Sequence, residues 1–424
     1  MEEDQLQDKL DKISAKLAEI SARLDVSKQS ASLYYEATVR SKQSSPAKSE
    51  QHATPDKSKT VKPSSATSPK TAPKTAPSSP IKTTNKTTPI HQTKAKERKY
   101  LVYLCDGRYY CGGWGDRQRM MASMYMLAFL VGRELRLQMP TPCDITNFYL
   151  PHRVQWVVKG NELRTDSNIT LELMYNKTLS QAFHDSLRAG DFNTKWPQKV
   201  IYLRGSHVFY GSIVHNKFYQ TTMRRWRSAE HVFRWAWGEL MQPQLSLLTR
   251  LEQTVGEDIL VRRGIIQKSV LPPGNRTQTS KSLLLCAHVR YGKNPNNPKD
   301  QPLDRFNITD LPALMDFLNK HDANNTARYY VASDYDLIRE KFKSRFGGKV
   351  LDGVGKVVHV DRDKNDKGAC EGFGVALLEQ LILSVCDHLV ITPSGFSRYA
   401  ALTSNSTNPA YLLTNDHKFT IVKI

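Results

Sequence analysis

The chain holds no run of about 18 apolar residues, the length a membrane-spanning helix requires, and it opens on no recognisable leader. Either its natural start lies further upstream or the protein is not luminal. Its six cysteines, Cys105, Cys111, Cys143, Cys286, Cys370 and Cys386, include no Cys-x-x-Cys pair and no metal-ligand spacing, which argues against a zinc centre. An even count permits disulfides without showing them. Aromatic residues make up only 9% and no nucleic-acid motif with aromatic interleaving is present, so the net charge of +20 does not read as a nucleic-acid footprint. Hydrophobic residues, at 39%, are too few for a wholly globular chain of 424 residues. Part of the chain is expected not to fold, and the length suits two domains beside it.

The charge is uneven. Between Ser41 and Lys99 there are 13 Lys/Arg against 3 Asp/Glu, which accounts for half of the +20. From Ser41 to His91 the composition is Ser, Thr, Pro, Lys and Ala, which cannot bury enough apolar surface to fold. We expect a disordered stalk over 41–98, either O-glycosylated or a passive linker. Ahead of it, Leu6, Leu10, Ile13, Leu17, Ile20 and Leu24 alternate steps of four and three. That heptad seam predicts a short coiled coil within 1–40, able to hold a homo-oligomer together. Asn85, Asn168, Asn176, Asn275, Asn307, Asn324 and Asn405 each begin an Asn-x-Ser/Thr sequon, which leans towards the secretory pathway.

The folded part is expected from Lys99. Tyr100 to Leu104 reads as a buried strand, Gly112, Gly113 and Gly115 as a tight turn, and Met120 to Val131 as a helix. Strand, glycine turn and helix open a nucleotide-binding βα unit, with the helix N-terminus aimed at the gap. A second strand is expected over Arg133–Met139, others over 154–158, 200–203 and 208–213, and helices over 178–189 and 229–255, the latter broken at Pro243. Around Leu271-Pro272-Pro273-Gly274 the periodicity fails, which puts a linker at 265–280 between lobes at 99–275 and 276–424.

The second lobe alternates strand and helix. Strands are expected over 283–289, 328–332, 356–360 and 388–391, and helices over 310–319, 337–346, 373–384 and from Arg398, as in a doubly wound parallel sheet. Three of these strands run into polar groups: His288 and Arg290, Ser333 and Asp334, Ser394 and Ser397. Strand carboxyl ends in such a sheet converge on one crevice, where ligands bind. Arg offers a planar fork of donors to a phosphate there. Arg305, in the polar loop beyond His288-Val289-Arg290, is expected to take no part.

In this order, His288-Val289-Arg290, Ser333-Asp334 and Ser394-Gly395-Phe396-Ser397 resemble the C-lobe motifs of the GDP-fucose-dependent fucosyltransferase superfamily, which joins the alpha-1,2, alpha-1,6 and protein O-fucosyltransferases. Gly112-Gly113-Trp114-Gly115-Asp116-Arg117 is similar to that superfamily's N-lobe turn, and Glu239-Leu240-Met241-Gln242-Pro243 to a helix of its plant and nodulation branches. The resemblance covers roughly 99–410. Tyr291 stands where a second basic residue is usual, and Asp116 where Asn is common.

The resemblance implies an α/β fold of GT-B type, two facing Rossmann-like lobes. It implies an inverting, metal-independent transfer of fucose from GDP-fucose to a glycan or glycoprotein hydroxyl in the Golgi or another secretory lumen, with no cofactor beyond that donor. Arg290 would meet the diphosphate, His288 and Asp334 the guanine region, Ser333 the same strand end, and Ser394, Gly395, Phe396 and Ser397 the phosphates. Gly113 and Gly115 would face the donor from the N-lobe. Asp116 is either the group that assists the acceptor hydroxyl or a helix cap. Two other readings stay open. Asp334-Tyr335-Asp336 or Asp361-Arg362-Asp363 would hold a metal in an Asp-x-Asp glycosyltransferase, or the head binds a glycan or nucleotide without catalysis.

Overall fold

The structure, a computed structural model, describes residues 97–266, 282–292, 305–353, 355, 358–404, 409–414 and 418–421. All of these residues belong to one compact unit, His91–Ile424. The expected coiled coil, all but the end of the expected stalk and most of the expected linker lie outside the described residues.

Strands of the N-terminal half are β1 (Tyr100–Leu104), β2 (Glu134–Gln138), β3 (Tyr149–Pro151), β4 (Asn168–Glu172), β5 (Val200–Arg204) and β6 (Met241–Pro243). Four of them make a parallel sheet in the order β2-β1-β5-β4, while β3 and β6 form a separate antiparallel pair. β1 lies inside that sheet with Leu101, Val102 and Tyr103 fully buried, which is why it reads as an unbroken apolar run. The helices here are α1 (Trp114–Val131), α2 (Lys177–Arg188), α3 (Ala229–Leu240) and α4 (Leu245–Val255). α1 starts about two turns before its apolar run, after its cap Gly113, and stops at Gly132, whose φ of +66° closes the helix in the left-handed region.

In the C-terminal half, β7 (Leu284–Val289), β8 (Arg328–Ser333), β9 (His388–Ile391), β10 (Ala410–Leu413) and β11 (Phe419–Ile421) line up as β11-β10-β9-β7-β8. All pairs are parallel except β10 with the edge strand β11. The helices are α5 (Leu311–Asn319), α6 (Asp336–Phe346), α7 (Ala369–Ser384) and α8 (Gly395–Thr403). One apolar cluster runs through both halves, taking Met124, Leu127 and Phe233 from the first and Phe373, Leu377 and Ala400 from the second. A second cluster, with Leu285, Leu314 and Phe342, fills the far side of the C-terminal sheet.

Several expected elements differ. Residues 154–158 form no strand; the segment touches β2 through one backbone bond, Leu137 N–H to Trp156 O, and one from the Arg136 side chain to Gln155 O. Residues 208–213 hold a helical turn, Tyr210–Ile213. Val358–Val360 is irregular, and the place beside Tyr329 is taken by Val350 through an isolated bridge. In each case the stretch has strand composition but forms no strand ladder. β4 escapes the sequence reading because only Leu171 of its five residues is buried.

The cysteines form Cys105–Cys111, Cys143–Cys370 and Cys286–Cys386. The first closes the turn leading to Gly112, the second joins the two halves, and the third ties β7 to the residue pair before β9. Among the described residues no helix is long and apolar enough to cross a membrane.

Candidate active site

The carboxyl ends of β7, β8 and β9 and the glycine turn before α1 open onto one cleft of about 290 Å³, near the lower bound for a small-molecule site. Its walls include His288, Arg290, Ser333, Asp334, Ser394, Gly395 and Phe396 from the C-terminal side, and Gly113, Gly115 and Asp116 from the N-terminal side. The sequence-predicted groups therefore meet in space, with one departure. Ser397 is fully buried and lies outside the cleft lining, its hydroxyl without a partner among the described residues.

Each strand end fixes its polar residues by backbone or side-chain bonds. Arg290 N–H donates to Thr392 Oγ1 at 2.9 Å, and its guanidinium pairs with Asp334. Asp334 also accepts from the backbone N–H of Tyr291 (2.7 Å) and Gly292 (3.0 Å). Asp334 thus folds the 290–292 turn back over β8, and the Arg290 side chain is only 18% exposed. Tyr291 turns away and stacks on Tyr335 at 4.7 Å. Ser333 donates its hydroxyl to Val289 O (2.8 Å), which locks β7 to β8. Ser394 caps α8 by accepting from Phe396 N–H (3.3 Å). His288 is buried against the Phe396 ring at 5.2 Å. Burial first, then the Arg290 and Arg339 charges, lowers its pKa to about 3, so it is neutral at physiological pH. Its Nδ1 has no hydrogen-bond partner among the described residues.

The glycine turn is held differently from expectation. Gly112 has φ +83°, and a Cβ there would lie 2.5 Å from the Asp116 Cβ. At Gly115 a Cβ would lie 2.6 Å from the Gly395 carbonyl carbon and 2.8 Å from Phe396 N. Gly115 is required because the C-terminal half's backbone rests on it. Asp116 accepts from Gly113 N–H (3.1 Å) and pairs with Arg119 (2.9 Å), so it does cap α1 while lining the cleft.

Sequence reasoning overlooks other groups on the walls: Tyr110, Arg305, His359, Arg362 and Glu379. Contrary to expectation, Arg305 belongs to the cleft. Reading Asp361-Arg362-Asp363 for its carboxylates misses the Arg between them. Asp361 is 5% and Asp363 9% exposed. Asp361 accepts from Cys111 N–H (3.0 Å) and from the fully buried Arg117 (3.3 Å), and Asp363 accepts from His359 N–H (2.7 Å). Arg362 faces the cleft instead. The signal available was the alternation itself: two inward carboxylates one residue apart force the residue between them outward.

No family model matches the chain, and no curated protein matches it in sequence. Solved structures do. A FUT1 variant from Arabidopsis thaliana, in complex with GDP, superposes with a TM-score of 0.52 at 15% identity, over 78% of this chain and 75% of that one. The fold is GT-B. The fucosyltransferase NodZ from Bradyrhizobium follows with a TM-score of 0.48 at 13% identity, over 77% of this chain and 99% of its own. The glycine turn of one half and the loops after β7, β8 and β9 of the other line the cleft just described.

Proposed function

We propose that this protein transfers fucose from GDP-fucose to an acceptor hydroxyl. The observation that carries the reading is the convergence of His288, Arg290, Asp334 and the Ser394–Phe396 cap with the Gly113–Asp116 turn on one cleft, in the order the superfamily motifs have, on a fold shared with a GDP-bound fucosyltransferase. In the reaction the bond from the sugar's anomeric carbon to the diphosphate breaks, and a bond from that carbon to the acceptor oxygen forms on the opposite face. The hydroxyl proton goes to a base, and GDP leaves. Arg290, Arg305 and Arg362 would meet the charge that develops on the diphosphate, together with the N-terminus of α8. Neutral His288 would offer Nδ1 to a polar edge of the nucleotide without a charge of its own.

Asp116 is the carboxylate on the N-terminal wall and is proposed as the proton acceptor, through the oxygen that now meets Arg119. Metal independence is proposed on the ground that the Asp-x-Asp carboxylates are already engaged: Asp334 by Arg290 and two backbone N–H groups, Asp361 by Arg117 and Cys111. The three disulfides, with exposed sequon asparagines Asn168, Asn176, Asn307 and Asn324, support an oxidising secretory lumen such as the Golgi. Calorimetric titration with GDP and GDP-fucose, and release of fucose from labelled donor, test the reading. Binding of neither nucleotide would overturn it.

A further inference from the structure

The N-terminal sheet presents its own strand ends to the same side of the molecule. β4 and β5 end in register, Glu172 beside Arg204. Arg204 donates to Asp106, just past β1, at 2.5 Å, and its guanidinium lies 5.3 Å over the Tyr109 ring. Tyr109 stands 5.9 Å from Tyr175, which follows β4. These rings are 44% and 61% exposed. Their neighbour in the chain, Tyr110, lines the donor cleft. From the other direction the path is continuous too: Asp116 pairs with Arg119, and Arg119 donates to Ser206 Oγ (3.3 Å), two residues past β5.

Resting on the fucosyltransferase reading, we propose that Tyr109, Tyr175, Arg204 and Glu172 form the acceptor subsite, and that its ligand is a neutral saccharide. Two exposed rings provide flat apolar faces of the kind that the C–H face of a sugar ring covers. The polar groups around them mix signs. Arg204 donates to Asp106, and Glu172 and Asp106 each accept from a neighbouring backbone N–H, of Met174 and of Arg108. A hydroxyl donates once and accepts twice, so a row of sugar hydroxyls satisfies alternating donors and acceptors. A phosphate only accepts and would meet two carboxylates. A peptide segment would have to satisfy its backbone on side chains alone, since β4, at the sheet edge, ends at Glu172 before the tyrosines.

The test is an array of neutral oligosaccharides, probed with the full chain with and without GDP, beside an array of Ser/Thr peptides. We expect saccharide binding, with or without nucleotide. Tyr175→Ala should weaken it about five-fold and Glu172→Gln about ten-fold, while GDP affinity changes less than about two-fold. Phe218→Ala, at an exposed position away from the strand ends, serves as the control. Saccharide binding that ignores both substitutions, or binding to peptides alone, overturns the proposal. Failure to bind GDP overturns the donor reading instead, and the arm without nucleotide still reads the subsite.

Discussion

Asp361 offers the sharpest test of how the two halves hold the cleft. Its carboxylate sits where the glycine turn meets the loop before α7, accepting from Cys111 N–H at 3.0 Å and from Arg117 at 3.3 Å. Arg117 is fully buried and also donates to Gly112 O (3.1 Å) and Thr141 O (2.5 Å). Burial lowers its pKa, and Asp361 works against that shift. Asp361→Ala would leave a buried guanidinium without its counter-charge and a buried N–H without an acceptor. Removing one member of a buried pair costs about 3–5 kcal/mol. At about 2–4 °C per kcal/mol for a body of this size, the melting temperature should fall by about 10 °C. Asp361→Asn keeps an acceptor for Cys111 and should lose about half as much. Replacing both partners, Arg117→Leu with Asp361→Leu, should recover part of the loss, because no charge is then stranded. Scanning calorimetry with calorimetric GDP titration reads all of these. Asp361→Ala with an unchanged melting temperature would refute the argument that this pair secures the glycine turn.

Arg290→Ala should cut turnover by roughly 100-fold or more, and Arg290→Lys should restore only part, since an ammonium lacks the planar fork; normal turnover of Arg290→Ala in a labelled-donor assay would sink the site assignment. Its stability should fall measurably too, because Asp334 loses its guanidinium partner and keeps only its other contacts, the Tyr291 and Gly292 N–H groups among them. Asp116→Asn retains an acceptor for Gly113 N–H, so folding should hold while kcat falls at least about 100-fold; an active Asp116→Asn would leave the residue as a cap alone. Gly115→Ala drives a methyl into the Gly395 backbone and should lower both melting temperature and GDP affinity, and a neutral result would mean the two halves do not meet as closely as described. His288 is held neutral, with its pKa lowered from 6.5 to about 3, so its contribution to stability is complete above pH 6.5 and is lost progressively as pH falls towards 3. Relative to His288→Asn, which cannot be protonated, the wild type should therefore lose roughly tenfold in folding equilibrium per pH unit below 6.5, and a constant difference from pH 7 to 4 would show that the ring charges in place.

The C-terminal half was legible where its strands are buried on both faces; β10 and β11, which are not, escaped the reading. Leu284 to Val289 and Arg328 to Ser333 are apolar runs ending in polar residues, and such runs carry both the strand and the position of its ligand end. The N-terminal half was less so. β4 is an edge strand with alternating exposure, the valines Val154 and Val157 pack from a loop, and Phe209 and Ile213 pack at a helical turn. The candidate site divides along the same line. Residues that follow a strand directly were found, whereas Arg305, His359 and Arg362 come from loops whose path depends on distant partners. Arg362 faces the cleft only because Asp361 is drawn inward by Arg117, a residue 244 positions away in the chain.

Those distant partners also set how the two halves of the chain meet. The seam between the halves is built from groups that fail singly. Gln118 and Gln380 exchange amide hydrogen bonds at 2.9 and 2.8 Å, and Gln380 also accepts from Trp114 Nε1 (2.7 Å) and donates to Phe396 O (2.8 Å). Removing either glutamine strands buried polar atoms of the other half, which costs more than the bond itself contributed. Gly115 and Gly395 let the two backbones touch at that seam, and Cys143–Cys370 closes it at its rim. The donor-side groups of α8 and the acceptor-side groups of α1 are therefore carried by two helices locked to each other through Gln380. A change in that lock would alter the spacing between diphosphate and acceptor before it altered either binding surface, so Gln380→Leu should lower kcat more than it raises the half-saturation for donor.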